Sequence, residues 1–147
     1  MMYRIHDIED ALVTALKNAG IAARPYHLSA EGQNLEREAG GTPVALVAYA
    51  GAEAAKVRTF ASRAGMDYTF HVYASARNLR DISATGAARG DVASSGIYGL
   101  LAAVRTALGG NRLGLLIQPL RLAAETALVK TPRLSVYRQD WRITVVE

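Results

Sequence analysis

The chain has 147 residues, of which half are hydrophobic and a fifth are charged, and it contains no cysteine. This length and balance are typical of one globular domain, and they exclude a disordered chain, a disulfide scaffold and a thiolate metal site. The sequence has no apolar run of the roughly 18 residues that cross a bilayer, and its start, MMYRIHDIEDAL, lacks the apolar core of a signal peptide, so we expect a cytoplasmic protein without a membrane partner.

The formal net charge is +4, and the whole surplus is C-terminal. Residues 1–100 hold ten Lys and Arg against ten Asp and Glu, while residues 101–147 hold seven against three. The C-terminal basic residues on predicted strands are Arg121, Lys130, Arg133, Arg138 and Arg142. Nucleic-acid binders usually add interleaved aromatic residues or a recognisable motif. We therefore interpret the surplus as a solvated or subunit-facing surface, with contact to an acidic partner, DNA included, as the alternative.

The N-terminal part predicts a helix and two strands. Residues 7–19 have an amphipathic helical pattern, with Asp7 as the N-cap and Gly20 as the terminator. The next segment, IAARPYHLS, predicts a short strand, and Pro25 favours an edge position because it has no N–H to donate. Residues 44–49 form a continuous apolar run, which is typical of a central strand covered on both faces.

The middle of the chain contains one clearly predicted strand. It lies between two segments, 51–66 and 82–95, to which the sequence assigns no one secondary structure. Residues 51–66 fit either a helical turn or an arm of a β-hairpin, and both alternatives stay open. Residues 67–75 alternate, which predicts a half-buried strand with Phe70, Val72 and Ala74 on its apolar face. Residues 82–95, ISATGAARGDVASS, lack periodicity, and we expect both 51–66 and 82–95 to be flexible loops or arms.

Residues 94–110 predict the main helix, around which the rest of the chain is organised. Its apolar residues recur at helical spacing on one face. That face carries Ile97, Leu100, Leu101, Val104 and Leu108, and the opposite face carries Tyr98, Arg105 and Thr106. Ser94 or Ser95 is the expected cap, and Gly109 is the expected left-handed terminator.

The C-terminal part predicts two long antiparallel strands joined near residues 130–133. In the first, Leu120, Leu122 and Ala124 alternate with Arg121, Ala123 and Glu125; in the second, Trp141, Ile143 and Val145 alternate with Arg142, Thr144 and Val146. Residues 138–140 predict a bulge or an exposed crossing point. The elements together predict a single α/β (α+β) domain over residues 1–147, with a mixed, largely antiparallel sheet of four or five strands and two main helices packed on it.

No arrangement of residues in the sequence indicates catalysis or a bound cofactor. The three histidines, His6, His27 and His71, lie far apart and show no metal-ligand spacing. The sequence also has no nucleophile elbow and no phosphate-binding loop. We therefore expect no enzyme activity, no cofactor and no metal ion.

Arginines near the flexible segments and on the C-terminal strands are the candidate contacts with partners. The candidate interface residues are Arg77, Asn78, Arg80, Arg89, Arg121, Arg138 and Arg142. Guanidinium groups suit bidentate pairing with carboxylates across an interface. Long terminal strands also leave sheet edges that a protein must cover or use, so we expect self-assembly through those edges.

The order of the predicted elements resembles a known family. IEDALVTALKNAG is followed by PVALVAYAG, FHVYASARNLRD, GIYGLLAAVRTALGG, PLRLAAETALV and LSVYRQDWRITV. The most specific pieces are residues 47–49, 76–80 and 96–110. Over almost the entire chain, this order resembles the tail terminator, or tail completion, proteins of Mu-like phages and prophages.

The resemblance implies a structural protein of a contractile-tailed virion, assembled in the host cytoplasm. Such proteins form a ring, commonly a hexamer, that sits on the end of the tail tube, stops tube and sheath polymerisation and offers a docking face to the head or neck. The implied partners are other copies of the chain, tail tube and sheath proteins, and head-tail connector or neck proteins, with DNA in the lumen as a further expectation from charge. The alternatives are a neck or head-tail connector protein of the same virion, or a small nucleic-acid-binding module.

Overall fold

The computed structural model describes residues 4–26, 43–54, 65–77, 96–115, 117–130 and 134–146. In chain order the elements are α1 (Ile5–Asn18), β1 (Ala23–Pro25), β2 (Val44–Ala54), β3 (Gly65–Arg77), α2 (Gly96–Leu108), β4 (Arg121–Lys130) and β5 (Leu134–Val146). The strands form one sheet in the order β1-β2-β3-β5-β4. The predicted fold class, an α+β arrangement of four or five strands with two main helices, is confirmed.

The sheet is mixed, and its two margins differ in length. β1 is parallel to β2 and pairs with residues 45–47 alone, so Pro25 lies on an edge strand as predicted. β2 with β3, β3 with β5, and β5 with β4 are antiparallel. The long strand β4 forms the opposite margin. β2, β3 and β5 therefore form the interior of the sheet.

Helix α1 begins at Ile5 rather than at the predicted Asp7. Arg4 is the N-cap, and its backbone N–H donates to Oδ2 of Asp7 at 3.3 Å. Asp7 thus occupies the third helical position, from which a carboxylate can satisfy the N-cap amide. The predicted terminator is confirmed, because Gly20 has a φ of +83° and the N–H of Ile21 donates to the Leu16 carbonyl at 3.0 Å.

Both helices pack on the same face of the sheet. The predicted stripe of α2 is buried: Ile97, Leu100, Leu101, Val104 and Leu108. It joins one hydrophobic cluster that includes Ile8, Leu12 and Leu16 of α1 and Phe70, Val72 and Trp141 of the sheet. Each such side chain contributes roughly 1.5–3 kcal/mol by leaving water, so the helix stripes hold the two layers together. Neither helix in the described ranges is long and apolar enough to cross a membrane.

The C-terminus of α2 differs by one position from the prediction. The N–H of Gly109 still donates to the Arg105 carbonyl at 2.8 Å, so Gly109 continues the helical hydrogen bonding. The left-handed residue is Gly110, with a φ of +72°. The predicted caps Ser94 and Ser95 lie outside the described residues.

The irregularities of the C-terminal hairpin lie in β4 and not in β5. β5 pairs residue by residue with β3 through residues 138–140, so the predicted interruption there is wrong. The register with β4 instead shifts between Leu122 and Ala124 and between Ala127 and Val129. The predicted alternation of β4 therefore fails after Ala123, because the bulge exchanges the faces of the residues that follow.

The face of the sheet opposite the helices, called the distal face below, carries a second hydrophobic cluster. It consists of Tyr26, Val44, Leu46, Ala48 and Tyr73. Residues 44–48 are buried, as predicted for a central strand. β3 buries Phe70, Val72 and Ala74 as predicted, but Tyr73 and Ser75 on its distal face are buried as well, so this strand is more than half-buried.

The segment 51–66 is partly described. β2 reaches Ala54 and β3 begins at Gly65, so both ends of the segment are strands, which favours the hairpin arm among the two alternatives. Residues 55–64 and 82–95 lie outside the described residues, and so does the prediction of flexibility made for them.

Candidate interface on the distal face and the sheet margins

The distal face brings together three of the predicted interface residues. Arg138 pairs across the sheet with Tyr73, Arg142 with Thr69, and Arg121 with Arg142. Because directly paired residues point to the same face, all three arginines lie on the distal face with Tyr73. Of the other predicted residues, Arg77 ends β3 opposite Leu134, while Asn78, Arg80 and Arg89 lie outside the described residues.

Each of these three arginines lies beside a carboxylate. The pairs are Arg138 Nε with Asp140 Oδ1 at 2.9 Å, Arg121 Nη2 with Asp67 Oδ1 at 3.8 Å, and Arg142 Nη1 with Glu53 Oε1 at 3.9 Å. Pairs of this exposure stabilise a fold by only about 0–1 kcal/mol. Their main effect is on the surface potential, because the three positive charges are balanced within the chain. The sequence count therefore overstates how basic this face is.

Asp67 connects three neighbouring strands at one end of the distal face. Its side chain is buried, with a residue exposure of 6%. It accepts a hydrogen bond from the Thr144 hydroxyl, and Arg121 donates to the same hydroxyl oxygen at 3.2 Å. A buried carboxylate must be paired or hydrogen-bonded. Asp67 thus links β3 to β5 and, through Arg121, to β4.

His71 lies at the centre of a chain of polar groups on the distal face. Its Nδ1 is 3.4 Å from the Tyr73 hydroxyl, and its Nε2 is 3.4 Å from Oδ1 of Asp140. A neutral ring protonated on Nε2 satisfies both contacts, accepting from Tyr73 and donating to Asp140. Burial lowers the pKa of His71 below its ordinary 6.5, Asp140 opposes this shift, and Arg138 adds to it.

Tyr73 completes this chain on the side of β2. Its ring packs edge-on against Tyr26, with centroids 5.6 Å apart. Burial raises the pKa of the Tyr73 hydroxyl above 10.0, and Arg138 opposes the shift. The hydroxyl therefore stays protonated, and both nitrogens of His71 are already occupied. The arrangement favours a structural hydrogen-bond chain over acid–base chemistry.

A second polar network lies on the helix face, and the sequence did not predict it. Gln139 is fully buried, and its Nε2 donates to Oε1 of Glu125 at 2.8 Å while its Oε1 accepts from Nε1 of Trp141 at 3.1 Å. Arg105 of α2 pairs with the other oxygen of Glu125. The network fastens α2 to β4 and β5. The available signal was Trp141, whose buried N–H needs an acceptor on the same face.

The described residues contain no group of three or more His, Asp or Glu side chains that could hold a metal ion. His6 is exposed and lies 3.2 Å from Asp7, and His27 is outside the described ranges.

Comparison with models of protein families identifies the family of this chain. The model of the family described as Bacteriophage Mu, Gp37 matches residues 4–146. The chain belongs to this family. The match covers every element from α1 to β5, and it confirms the resemblance to Mu-like phage proteins at the level of the family. It supports a phage structural protein. Comparison with curated proteins gave no match.

This member of the Gp37 family exposes strand edges at both margins of its sheet. On β4, Ala123, Ala124 and Ala127 are exposed, and so is Leu128, with an exposure of 42%. At the other margin β1 covers only residues 45–47 of β2, and Ala52 beyond it is exposed. Small side chains allow another backbone to approach closely. As far as the described ranges go, both margins are therefore accessible to a further strand.

Proposed function

We propose that this member of the Gp37 family is a tail terminator. It forms a ring, as a hexamer, on the end of the tail tube, ends polymerisation of tube and sheath, and offers a docking face to the head or neck. The family match over residues 4–146 carries the proposal, because it supports a phage structural protein. The resemblance in the order of the elements supplies the specific role. The protein acts in the virion by its shape and contacts, without catalysis.

The shape of the sheet supports a ring. A ring subunit needs two different, complementary surfaces, because each copy contacts one neighbour on either side. β1 and β4 place two unlike margins at opposite sides of one sheet. The helices cover one sheet face, and in the described part of the chain the two margins are open to contacts with other copies and with tube, sheath or neck proteins.

The charge pairs support protein partners over DNA. Arg121, Arg138 and Arg142 each lie within 4 Å of a carboxylate of the same chain. Binding to a nucleic acid gains its free energy from neutralising phosphates, and paired arginines have less positive charge to offer. This favours a role for the arginines in orienting protein contacts.

Phages or prophages that lack this protein provide the test. If the protein is a terminator, negative-stain images of induced lysates show tails of uncontrolled length, and supplying the protein restores a uniform length. Purified protein added to tail tubes is expected to bind as a ring at one end. Tails of normal length without heads would instead identify a neck or connector protein. Normal, complete virions would contradict both the terminator role and the connector role.

A further inference from the structure

We propose that neighbouring copies join through two edges of the same sheet with which no described residue pairs, so that β4 of one copy pairs antiparallel with the far end of β2 in the next. The β4 edge comprises residues 124–127, and the β2 edge comprises residues 51–54. This inference rests on the proposed ring, and it assigns the contact that closes it.

The β4 edge is regular and free of obstructing charge. Residues 124–127 lie between the two bulges and pair one to one with residues 137–140 of β5, while no described residue pairs with their other side. Ala124 and Ala127 are exposed. The one carboxylate in the segment, Glu125, is turned towards α2 and held by Arg105 and Gln139. Lys and Pro are common devices against edge pairing, and residues 124–127 contain neither.

The β2 edge begins where β1 ends. The last hydrogen bond from that side runs from the N–H of Tyr26 to the Val47 carbonyl at 2.8 Å. Residues 51–54 pair with residues 66–69 of β3 on one side, and no described residue pairs with them on the other. Ala52 and Glu53 are exposed. This edge therefore matches the β4 edge in length, and three of its four residues are glycine or alanine.

The strand directions make the contact antiparallel and head-to-tail. Each step from β2 to β3, β5 and β4 is antiparallel, so β2 and β4 run in opposite directions within one copy. A neighbour in the same orientation therefore presents its β4 antiparallel to this β2. Because the two edges differ, each copy uses both once, and the contact closes into a ring when the rotation per copy divides a full turn.

The faces of the sheet restrict which residues can lie opposite one another. Ala52 shares a face with Tyr68, and Ala127 shares a face with Tyr137; both of these tyrosines pack against the main core. Thr126 lies on the distal face, because it pairs with Arg138. A one-residue slip exchanges the faces. A continuous sheet can therefore place Ala52 opposite Ala127, but it cannot place Ala52 opposite Thr126.

The absence of cysteine from the chain allows a direct test by disulfide trapping. Ala52→Cys and Ala127→Cys are made as separate full-length variants, mixed in equal amounts and oxidised, in solution and on tail tubes. Opposed antiparallel residues have Cα atoms about 4.5–5.5 Å apart, within the roughly 4.4–6.8 Å that disulfides span, so the mixture is expected to give covalent dimers. The double variant is expected to give a ladder that ends at a closed ring.

The matched control is Thr126→Cys, which is adjacent to Ala127 but lies on the other face. Its mixture with Ala52→Cys is expected to stay monomeric on a denaturing gel. Dimers of Ala127→Cys with itself, with no dimer between Ala52→Cys and Ala127→Cys in the mixture, would show that β4 pairs with β4 and would overturn the proposal. Rings or oligomers in the mixture of Ala52→Cys and Ala127→Cys, with no disulfide-linked dimer between the two variants, would also overturn this pairing while leaving the terminator role intact. Normal virions without the protein would remove that role, and the disulfide result would still decide how copies pair.

Discussion

At the residue scale, His71 connects proton binding to the stability of the fold. Burial lowers its pKa below 6.5, so the folded state binds this proton less readily than the unfolded state does. Well above pH 6.5 both states carry a neutral ring, and the group makes no difference to stability. As the pH falls below 6.5, the unfolded state gains protons first, and the free energy of unfolding decreases.

We predict that His71→Gln reduces this loss of stability on acidification. The measurement is urea unfolding at a series of pH values between 6.5 and about 5, above the range in which most carboxylates titrate. The variant is expected to show a shallower dependence of the free energy of unfolding on pH. His6→Gln, which removes an exposed histidine, is the matched control. An unchanged slope in His71→Gln would contradict the assignment.

Gln139 is the second residue whose surroundings give a sharp prediction. Replacing it by Leu leaves the buried N–H of Trp141 and one oxygen of the part-buried Glu125 side chain without their partner. We expect Gln139→Leu to lower the free energy of unfolding by about 1–3 kcal/mol, the usual cost of a buried unsatisfied group. Urea denaturation measures it. Gln118→Leu, at an exposed position, is expected to change stability by less than about 0.5 kcal/mol.

At the scale of elements, α2 depends on its apolar stripe for its position on the sheet. Leu108, the last residue of the helix, has an exposure of 0% and belongs to the main core. The polar network through Arg105 and Glu125 fixes the same helix against β4. The stripe supplies most of the free energy, while the network specifies which strands lie beneath the helix.

We predict that Leu108→Ala destabilises the protein by about 2–5 kcal/mol, through lost burial and the cavity it leaves. Thermal unfolding followed by circular dichroism is the measurement. Thr106→Ala, on the exposed side of the same helix, is the control and should stay close to the wild-type stability. Similar losses in both variants would mean that the helix is not held by its stripe.

At the scale of the whole molecule, charge is distributed more evenly than the net value suggests. The formal charge is +4, but Arg121, Arg138 and Arg142 each have an acidic neighbour on the distal face or its margin. In the described part of the chain, the pair of strand edges is thus a better candidate contact surface than the paired arginines. This shifts the expected partners from nucleic acid to other protein chains.

We predict that replacing Arg121, Arg138 and Arg142 together by Ala changes the affinity for a DNA duplex by less than about threefold, since few released counterions depend on them. Fluorescence anisotropy over a range of salt concentrations measures this. A loss of about tenfold or more, with a smaller salt dependence, would favour the nucleic-acid-binding module instead.

The sequence by itself determined which segments form helices and strands. The stripe of α2 and the alternation of Phe70, Val72 and Ala74 could be predicted, because the spacing of neighbouring residues decides which face they share. Pro25 predicted an edge strand for an equally local reason, because proline has no backbone N–H to donate. The order of these elements also carried the resemblance to Mu-like phage proteins, which the family match confirms.

Only the tertiary structure decided which distant residues meet. Gln139 was predicted to interrupt a strand, and its partner Glu125 lies on another strand, beneath a helix. The bulges of β4 arise because β4 has extra residues relative to β5 along the paired region. No local sequence pattern predicts them. The ion pairs of the arginines also depend on the tertiary structure. Asp67 and Arg121 come together only because β3 and β4 lie on either side of β5. Such contacts arise from the packing of the whole chain, whereas periodicity records only the local geometry of each element.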